Sequence, residues 1–466
     1  MEIVNLFLSI IFFTFAGANV LFLILPGWKG VGRLEGIAIS FGLGIGCVTL
    51  EMLFFYILNM RFDIAVIALP WIILIAINAI LFFRKENKFE LFAPEANKFS
   101  LLDALLSLGI GFEVLYAFFR ALIKPIEAYD AVAIYAIKSK IFFLARGIPQ
   151  DFFTGLVNNF PHPDYPLNIP LAETFSYLFM GNLNDQLVKI IFPLYFICTL
   201  IILYFAVRRF ASRTYALIFT LILATIPQFN AYAANAYLDL PFAFYAFTSA
   251  LFLFWWFENR KSARFLIMSA VMAGLAGWTK NEGLMYCAAY IMLAAIYFIF
   301  NLRSFSRKDI ASLFLYIVII AAILAPWLYV KSASHLVNTD VEKVDSKVLS
   351  IWKEAYKLKP IFYEFQKQLF GPKKWNILWI VLIFSILLNL KSAFSGVRKY
   401  IAVFLALVVG GYIFIYMAAP IDVTFFVKKT WSRFLLHFLP IVVYWLSLML
   451  KDLYFAHRKS GTGSAS

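Results

Sequence analysis

The sequence predicts an all-α protein: a polytopic bundle of transmembrane helices, about thirteen spans, with interfacial helices in its first long external loop. Three observations predict it. Apolar residues make up 63% of the 466-residue chain and charged residues only 14%, too little polar surface to keep a chain of this size in solution. The apolar stretches run to about 20 residues, the length a helix needs to cross about 30 Å of hydrocarbon. They are continuous rather than alternating. Backbone groups inside lipid must be paired within the chain, so continuous runs leave helices and exclude a closed barrel.

The apolar segments are residues 3–26, 35–58, 64–83, 101–122, 186–207, 214–229, 239–257, 264–279, 283–300, 310–330, 376–390, 400–419 and 434–450. The first, from Met1 to Pro26, has no basic n-region and a long apolar core, the pattern of a retained helix rather than a cleaved signal peptide. Gly42, Gly44 and Gly46 in the second have the look of a dinucleotide loop, but no strand precedes them. Small-residue packing between helices explains them better. Glu51 in the second segment and Glu113 in the fourth are ionisable exceptions within spans. Cys47, Cys198 and Cys287 fall far apart in apolar spans, as small core residues do; they form neither a disulfide framework nor a metal-ligand spacing. Three units follow. Residues 1–100 hold three helices and a cytoplasmic linker, residues 101–455 form the main transmembrane module with external loops 123–185 and 331–375, and residues 456–466 form a disordered polar tail.

Short basic connectors set the orientation. Arg84, Lys85 and Lys88, then Arg208, Arg209 and Arg213, then Arg260, Lys261 and Arg264, then Arg303, Arg307 and Lys308, then Lys391, Arg398 and Lys399 recur at alternate connections. With Lys451, Arg458 and Lys459 they belong in the cytoplasm by the positive-inside rule, which puts the N-terminus outside. The loops Ile123–Asp185 and Lys331–Trp375 and the links Gln228–Leu238 and Thr279–Gly283 are then external. The second long loop carries many lysines against this rule, which long loops obey less strictly than short ones. The excess of 41 Lys+Arg over 26 Asp+Glu fits cytoplasmic anchoring and contact with anionic membrane lipids, not nucleic acid.

The non-basic polar character collects on the external face, and loops this long in a compact fold are usually functional. Lys124-Pro125-Ile126-Glu127-Ala128-Tyr129-Asp130 leads into a helical pattern over 131–145, with Lys138 and Lys140 on one side and Ile137, Ile141 and Phe142 on the other, an interfacial amphipathic helix. Asp130 stands where this helix begins and also fits an N-cap. Asn158-Asn159-Phe160-Pro161-His162-Pro163-Asp164-Tyr165-Pro166 is stiffened by three prolines that forbid a helix. It presents His162, Asp164 and Tyr165, and it equally fits a structural loop. Asp239, in Tyr237-Leu238-Asp239-Leu240-Pro241, reads as a cap as well, but a carboxylate this close to hydrocarbon usually has a polar task. Trp278-Thr279-Lys280-Asn281-Glu282-Gly283 interrupts a long apolar run, with Lys280 and Glu282 placed either as a bridge between two helices or as site groups. Thr430-Trp431-Ser432-Arg433 leads into a span with His437 and Pro440, and an arginine there can hold a lipid or substrate phosphate.

These blocks, in this order, resemble the GT-C superfamily of integral membrane glycosyltransferases, in the branch of the protein O-mannosyltransferases and lipid A aminoarabinose transferases. The resemblance covers about residues 100–450, with Arg433 and Pro440 similar to the closing element of that group. The chain carries Tyr129-Asp130-Ala131 where the mannosyltransferase branch tends to have an Asp-Glu pair. The resemblance implies a sugar taken from a polyprenyl-phosphate donor and moved to a lipid, glycan or protein acceptor, outside the cytoplasmic membrane. It implies Asp130 and Asp239 as the catalytic carboxylates, Asp130 as base or acceptor-orienting group and Asp239 in support. Lys280, Arg433 and Lys138 are then donor-phosphate ligands, and His162, Asp164, Tyr165 and Glu282 line the substrate pocket. A lipid phosphate leaves readily as an anion, so one carboxylate suffices where hydrolysis of an ordinary glycoside uses two, and positive charge stabilises the leaving group. The sequence specifies no cofactor; a divalent cation between the two carboxylates is compatible with it. The rival reading is a lipid or solute transporter or flippase, whose polar groups would sit on broken helices near the bilayer midplane.

Overall fold

The computed structural model describes residues 1–28, 30–84, 99–154, 162–260, 262–336 and 348–461, and every regular element among them is helical. The main helices are α1 (Glu2–Ile24), α2 (Arg33–Ile57), α3 (Ile64–Arg84), α4 (Leu101–Leu122), α5 (Ile137–Ala145), α6 (Asn168–Met180), α7 (Ile191–Arg208) and α8 (Arg213–Ala224). They continue with α9 (Asp239–Glu258), α10 (Ala263–Thr279), α11 (Glu282–Phe300), α12 (Arg307–Ala333), α13 (Leu358–Leu369), α14 (Leu378–Leu388), α15 (Arg398–Ala418) and α16 (Val423–Gly461). An all-α polytopic bundle is what the structure has. Nine helices among the described residues are long and apolar enough to cross a membrane, and α3, α8, α10 and α14 are shorter apolar helices at the remaining expected positions.

The bundle is organised around α9. Its sequence is apolar on every side, and such a helix is stable only when it is surrounded. Every residue from Asp239 to Phe257 is buried, with α7, α10 and α16 packed against it. Helices α1 and α2 touch backbone to backbone. A Cβ on Gly44 would lie 1.7 Å from the Phe13 carbonyl oxygen, and one on Gly17 would lie 1.9 Å from that of Ser40. Gly42 and Gly46 admit the side chains of Phe244 on α9 and Leu275 on α10. The glycine run in α2 is therefore a packing surface, as its setting in an apolar span implies.

The two ends of the bundle differ chemically. At one end the basic connectors meet partners: Arg209 donates to both oxygens of Glu35 (2.8 and 2.9 Å) and lies 3.8 Å from the centre of the Trp255 ring. Arg213 pairs with Asp103 at 3.9 Å, and Arg398 donates to the Leu448 carbonyl at 3.1 Å. At the opposite end Glu2 accepts hydrogen bonds from Asn182 and Asn184, 2.9 Å each. The N-terminus of α1 thus shares an end with the loop 123–185, as the alternation of connectors requires. The two in-span carboxyls are partnered: Trp71 donates to Glu51 at 2.6 Å and Asn230 to Glu113 at 2.9 Å.

Some expectations need correction or fall elsewhere. The segment after Asp130 begins as a π-helical turn over Ala131–Ala136 before α5. The wider turn carries an extra residue and re-aims the side chains that follow. Lys138, expected with Lys140 on one side of this helix, is fully buried, because residues two apart on the regular helix α5 face opposite ways. Helix α16 continues to Gly461, into the stretch expected as a disordered tail, because nothing before that glycine breaks it. Asn158, Asn159, Phe160, Pro161, Lys85, Lys88, Lys261 and residues 462–466 lie outside the described residues.

Candidate active site

Four separate segments carry charged side chains to the same end of the bundle. Asp239 is the first residue of α9, and its side chain makes no cap; it turns inward and is entirely buried. Lys280 and Glu282 flank the tight link between α10 and α11. Lys280 is extended (φ −146°, ψ 151°), which ends α10. Gly283 lets α11 start against α10, since a Cβ there would stand 2.4 Å from the Ala276 carbonyl oxygen. On α16, Lys429, Arg433 and His437 are four residues apart and so share one face of the helix. Asp130 precedes the π-helical turn, also without a side-chain cap bond.

Arg433 joins the two aspartates. Its Nη1 donates to Asp130 Oδ2 at 2.6 Å and its Nη2 to Asp239 Oδ2 at 3.1 Å, with Nε 3.3 Å from both Asp239 oxygens. Its guanidinium also lies 4.9 Å from the centre of the Tyr237 ring. Lys280 Nζ is 3.0 Å from Asp239 Oδ1 and 3.0 Å from Glu282 Oε1. His437 donates from Nε2 to Asp239 Oδ1 at 2.8 Å and accepts at Nδ1 from the Tyr412 hydroxyl at 2.7 Å. The acceptor sites of Asp239 are therefore committed to Arg433, Lys280 and His437. The Asp130 side chain is 26% exposed where that of Asp239 is 0%, so Asp130 is the aspartate that opens to the cavity.

The cluster forms the polar wall of a cavity of about 640 Å³. Asp130, Lys280, Asn281, Glu282, Lys429 and Arg433 line it with His162 and Tyr165; Ile134, Met285, Phe414, Ile415, Phe425, Phe426 and Phe434 make the rest of the wall largely apolar. The His162 block is a turn, with His162 in the left-handed region (φ 55°) and its ring 4.5 Å from that of Tyr165. Behind it, Lys138 Nζ donates to the His162 carbonyl at 2.7 Å and Asn281 Nδ2 donates to Asp164 at 3.0 Å. Burial pushes the Lys138 ammonium down to about 7. Burial also raises the Asp164 carboxyl above its ordinary range, against the opposing pull of Lys331 and the Asn281 hydrogen bond. Below the cluster, Asn168 accepts from Thr49 (2.7 Å) and donates to Thr279 (2.8 Å), tying α2 and α6 to the residue beside Lys280.

Of the residues singled out from the sequence, the structure brings together Asp130, Asp239, Lys280, Glu282 and Arg433, with His162 and Tyr165 on the same cavity. Lys138 and Asp164 do not line it. Lys138, expected at a donor phosphate, supports the His162 backbone instead, and Asp164 holds Asn281 from behind. The position between Asp130 and Asp239, where a divalent cation was considered, is taken by the Arg433 guanidinium. Among the described residues no group of three or more His, Cys, Asp or Glu side chains has a metal-binding arrangement. Sequence reasoning passed over His437 as a site residue, together with Asn281, Tyr412 and Lys429. The available signal for His437 was its spacing of four from Arg433 within an apolar helix.

Residues 162–330 match the family model described as dolichyl-phosphate-mannose-protein mannosyltransferase. This segment carries the sequence pattern of a GT-C-type membrane glycosyltransferase. The match bears out the resemblance at the level of the superfamily and does not specify the branch. It covers less than half of the chain: His162, Asp164, Tyr165, Asp239, Lys280 and Glu282 fall within it, and Asp130, Lys138 and Arg433 outside. No curated protein and no solved structure matches the chain.

Proposed function

We propose that this chain transfers a sugar from a polyprenyl-phosphate donor to an acceptor on the extracytoplasmic side of the cytoplasmic membrane. The observation that carries the reading is the Asp130–Arg433 pair, backed by the buried Asp239, at the wall of a cavity lined by both charged and apolar side chains. A donor with an anionic phosphate between a sugar and an isoprenoid needs both kinds of wall. The positive-inside pattern supports the external placement of this end.

In this reading the acceptor hydroxyl attacks the anomeric carbon. The bond from that carbon to the phosphate oxygen breaks, and the polyprenyl phosphate departs with the electron pair. Asp130 accepts the acceptor's proton. Arg433 is its ion-pair partner before donor arrives, and a bound phosphate competes for that guanidinium, freeing the carboxylate for general-base work. Arg433, with Lys280 and Lys429, supplies positive charge as the leaving phosphate develops. Asp239 is inaccessible; it fixes the orientation of both cations. His162 and Tyr165 line the sugar or acceptor side. A single displacement of this kind inverts the configuration at the anomeric carbon.

Asp130, Asp239, Lys280 and Glu282 stand at the ends of helices and Arg433 and His437 on the continuous helix α16, not on helices broken at mid-depth, which favours transfer over transport. The test is incubation of the purified chain with a panel of radiolabelled polyprenyl-phosphate sugars. Consumption of one of them, with label recovered covalently on an acceptor, is the expected result. Uptake of a labelled solute or lipid into vesicles with no covalent product would replace this reading with the transporter.

A further inference from the structure

The external segment after α12 holds a feature that the transfer reading leaves unused. Its described part is a 3₁₀ stretch, Val348–Lys357, followed by α13. One face of α13 is buried against the bundle. Phe365 stacks on Trp431 with ring centres 3.6 Å apart and planes at 4°. Gln368 donates to the carbonyls of Val427 (3.2 Å) and Lys428 (3.1 Å), and Lys357 donates to those of Met417 (2.9 Å) and Ala419 (3.0 Å). The segment therefore grips the C-terminal end of α15 and the early turns of α16.

The opposite face is unlike an ordinary solvated surface. Trp352 is 71% exposed, Tyr356 70%, Phe362 50% and Tyr363 63%. Lysines 359 and 367 are exposed on the same side of α13 as Phe362 and Tyr363. Aromatic rings with one apolar body and one polar edge concentrate where hydrocarbon meets headgroups, and lysines beside them complement anionic lipid. The surface is also continuous with lipid-facing structure. The chain runs from α13 through a short helical turn, Pro372–Trp375, into α14, an apolar helix whose Phe384 and Leu388 are 59% and 76% exposed.

We propose that the segment from Val348 to Phe370 lies on the bilayer surface, with its exposed aromatic and lysine side chains in the headgroup layer of an anionic leaflet. Lys359 and Lys367 of the second long loop then have a partner at the membrane surface, which accounts for these basic residues in a loop on that side. Because the inner face of the same segment holds the helix bearing Lys429 and Arg433, the lipid surface becomes part of what positions that helix. This inference rests on the membrane fold and is independent of the transfer reaction.

The test compares the full-length protein in nanodiscs of phosphatidylcholine with the same protein in discs containing one third phosphatidylglycerol. Backbone amide exchange across residues 348–370 is expected to slow several-fold in the anionic discs, and high salt or the Lys359→Gln/Lys367→Gln double variant should remove the difference. In a second arm a nitroxide is attached at Tyr363→Cys after the native cysteines, which are buried or half-buried, are changed to alanine. Oxygen should relax this label more effectively than a water-soluble nickel chelate. Equal exchange in both kinds of disc, or dominant relaxation by the chelate in anionic discs, would overturn the proposal and assign the face to the aqueous phase.

Discussion

Asp239→Asn is the sharpest perturbation of the charge cluster. Asparagine keeps the shape of the side chain but removes the charge that answers Arg433 and Lys280, and it turns an N–H donor toward groups that are themselves donors. Asp239 is fully buried, with Lys280 at 3.0 Å, His437 at 2.8 Å and Arg433 at 3.1 Å. At an effective dielectric of about 20, each charge pair near 4 Å is worth about 4 kcal/mol before desolvation is counted. Removing one member of a buried pair typically costs about 3–5 kcal/mol, because the remaining charge stays buried and unanswered. Unfolding entropy of about 2.1 cal/mol/K per residue gives about 1 kcal/mol/K for a chain of this length, so the melting temperature should fall by about 3–5 °C. The assay is thermal unfolding of the purified protein in detergent, read by loss of the monodisperse peak. A double variant with Lys280→Met should be less destabilised than the sum of the two single changes, by about 0.5–3 kcal/mol. Asp239→Asn melting with the wild type, or strict additivity of the pair, would refute the cluster as a coupled unit.

Other outcomes follow from the same coordinates. Gly44→Ala should abolish the folded monodisperse protein in fluorescence-detected gel filtration, since its methyl would meet the Phe13 carbonyl at 1.7 Å; Gly410→Ala on α15, where the space is open, should elute unchanged. The Lys138 ammonium is pushed from 10.5 down to about 7 by burial. Between those values the unfolded chain binds the extra proton, so stability falls as pH drops from 10.5 toward 7. Lys138→Met should flatten that part of the stability–pH curve, measured by chemical denaturation at a series of pH values; an unchanged slope would count against a buried Lys138. Asn168→Leu removes the hydrogen bonds from Thr49 and to Thr279, both of which keep backbone partners at Ile45 and Leu275, and should cost about 1–3 kcal/mol for the two bonds lost. If it melts with the wild type, the link from α2 to the Lys280 turn carries no weight.

Much of this fold was legible in the sequence because lipid imposes a simple rule: an apolar run long enough to cross must be a helix. The run from Leu240 to Phe257 could only be a helix; its all-round apolarity is satisfied by the central position that the structure gives it. Pairing was less legible. Asp239 is 41 residues from Lys280, 194 from Arg433 and 198 from His437, and no periodicity connects them. Both aspartates fitted helix caps by position, and neither side chain caps; only tertiary partners distinguish a cap from an ion pair. Lys138 differs from expectation for a local reason: on the regular helix α5 it and Lys140, two residues apart, face opposite ways, and Lys138 is the one that faces inward. His437 gave little signal on its own, because a single histidine in an apolar helix is as often a packed core residue as a working one. Its meaning came from Asp239 on one side of the ring and Tyr412 on the other.

The most direct test of the account is the turnover of Asp130→Asn on the wild type's labelled polyprenyl-phosphate sugar, with donor binding and melting temperature measured in parallel. Loss of a general base predicts a fall in kcat of about 10²–10⁴-fold, with donor affinity retained and the fold intact, since Asp130 is the accessible end of the chain through Arg433. Near wild-type turnover in a folded, donor-binding Asp130→Asn protein would contradict the assignment of the reaction to this cluster.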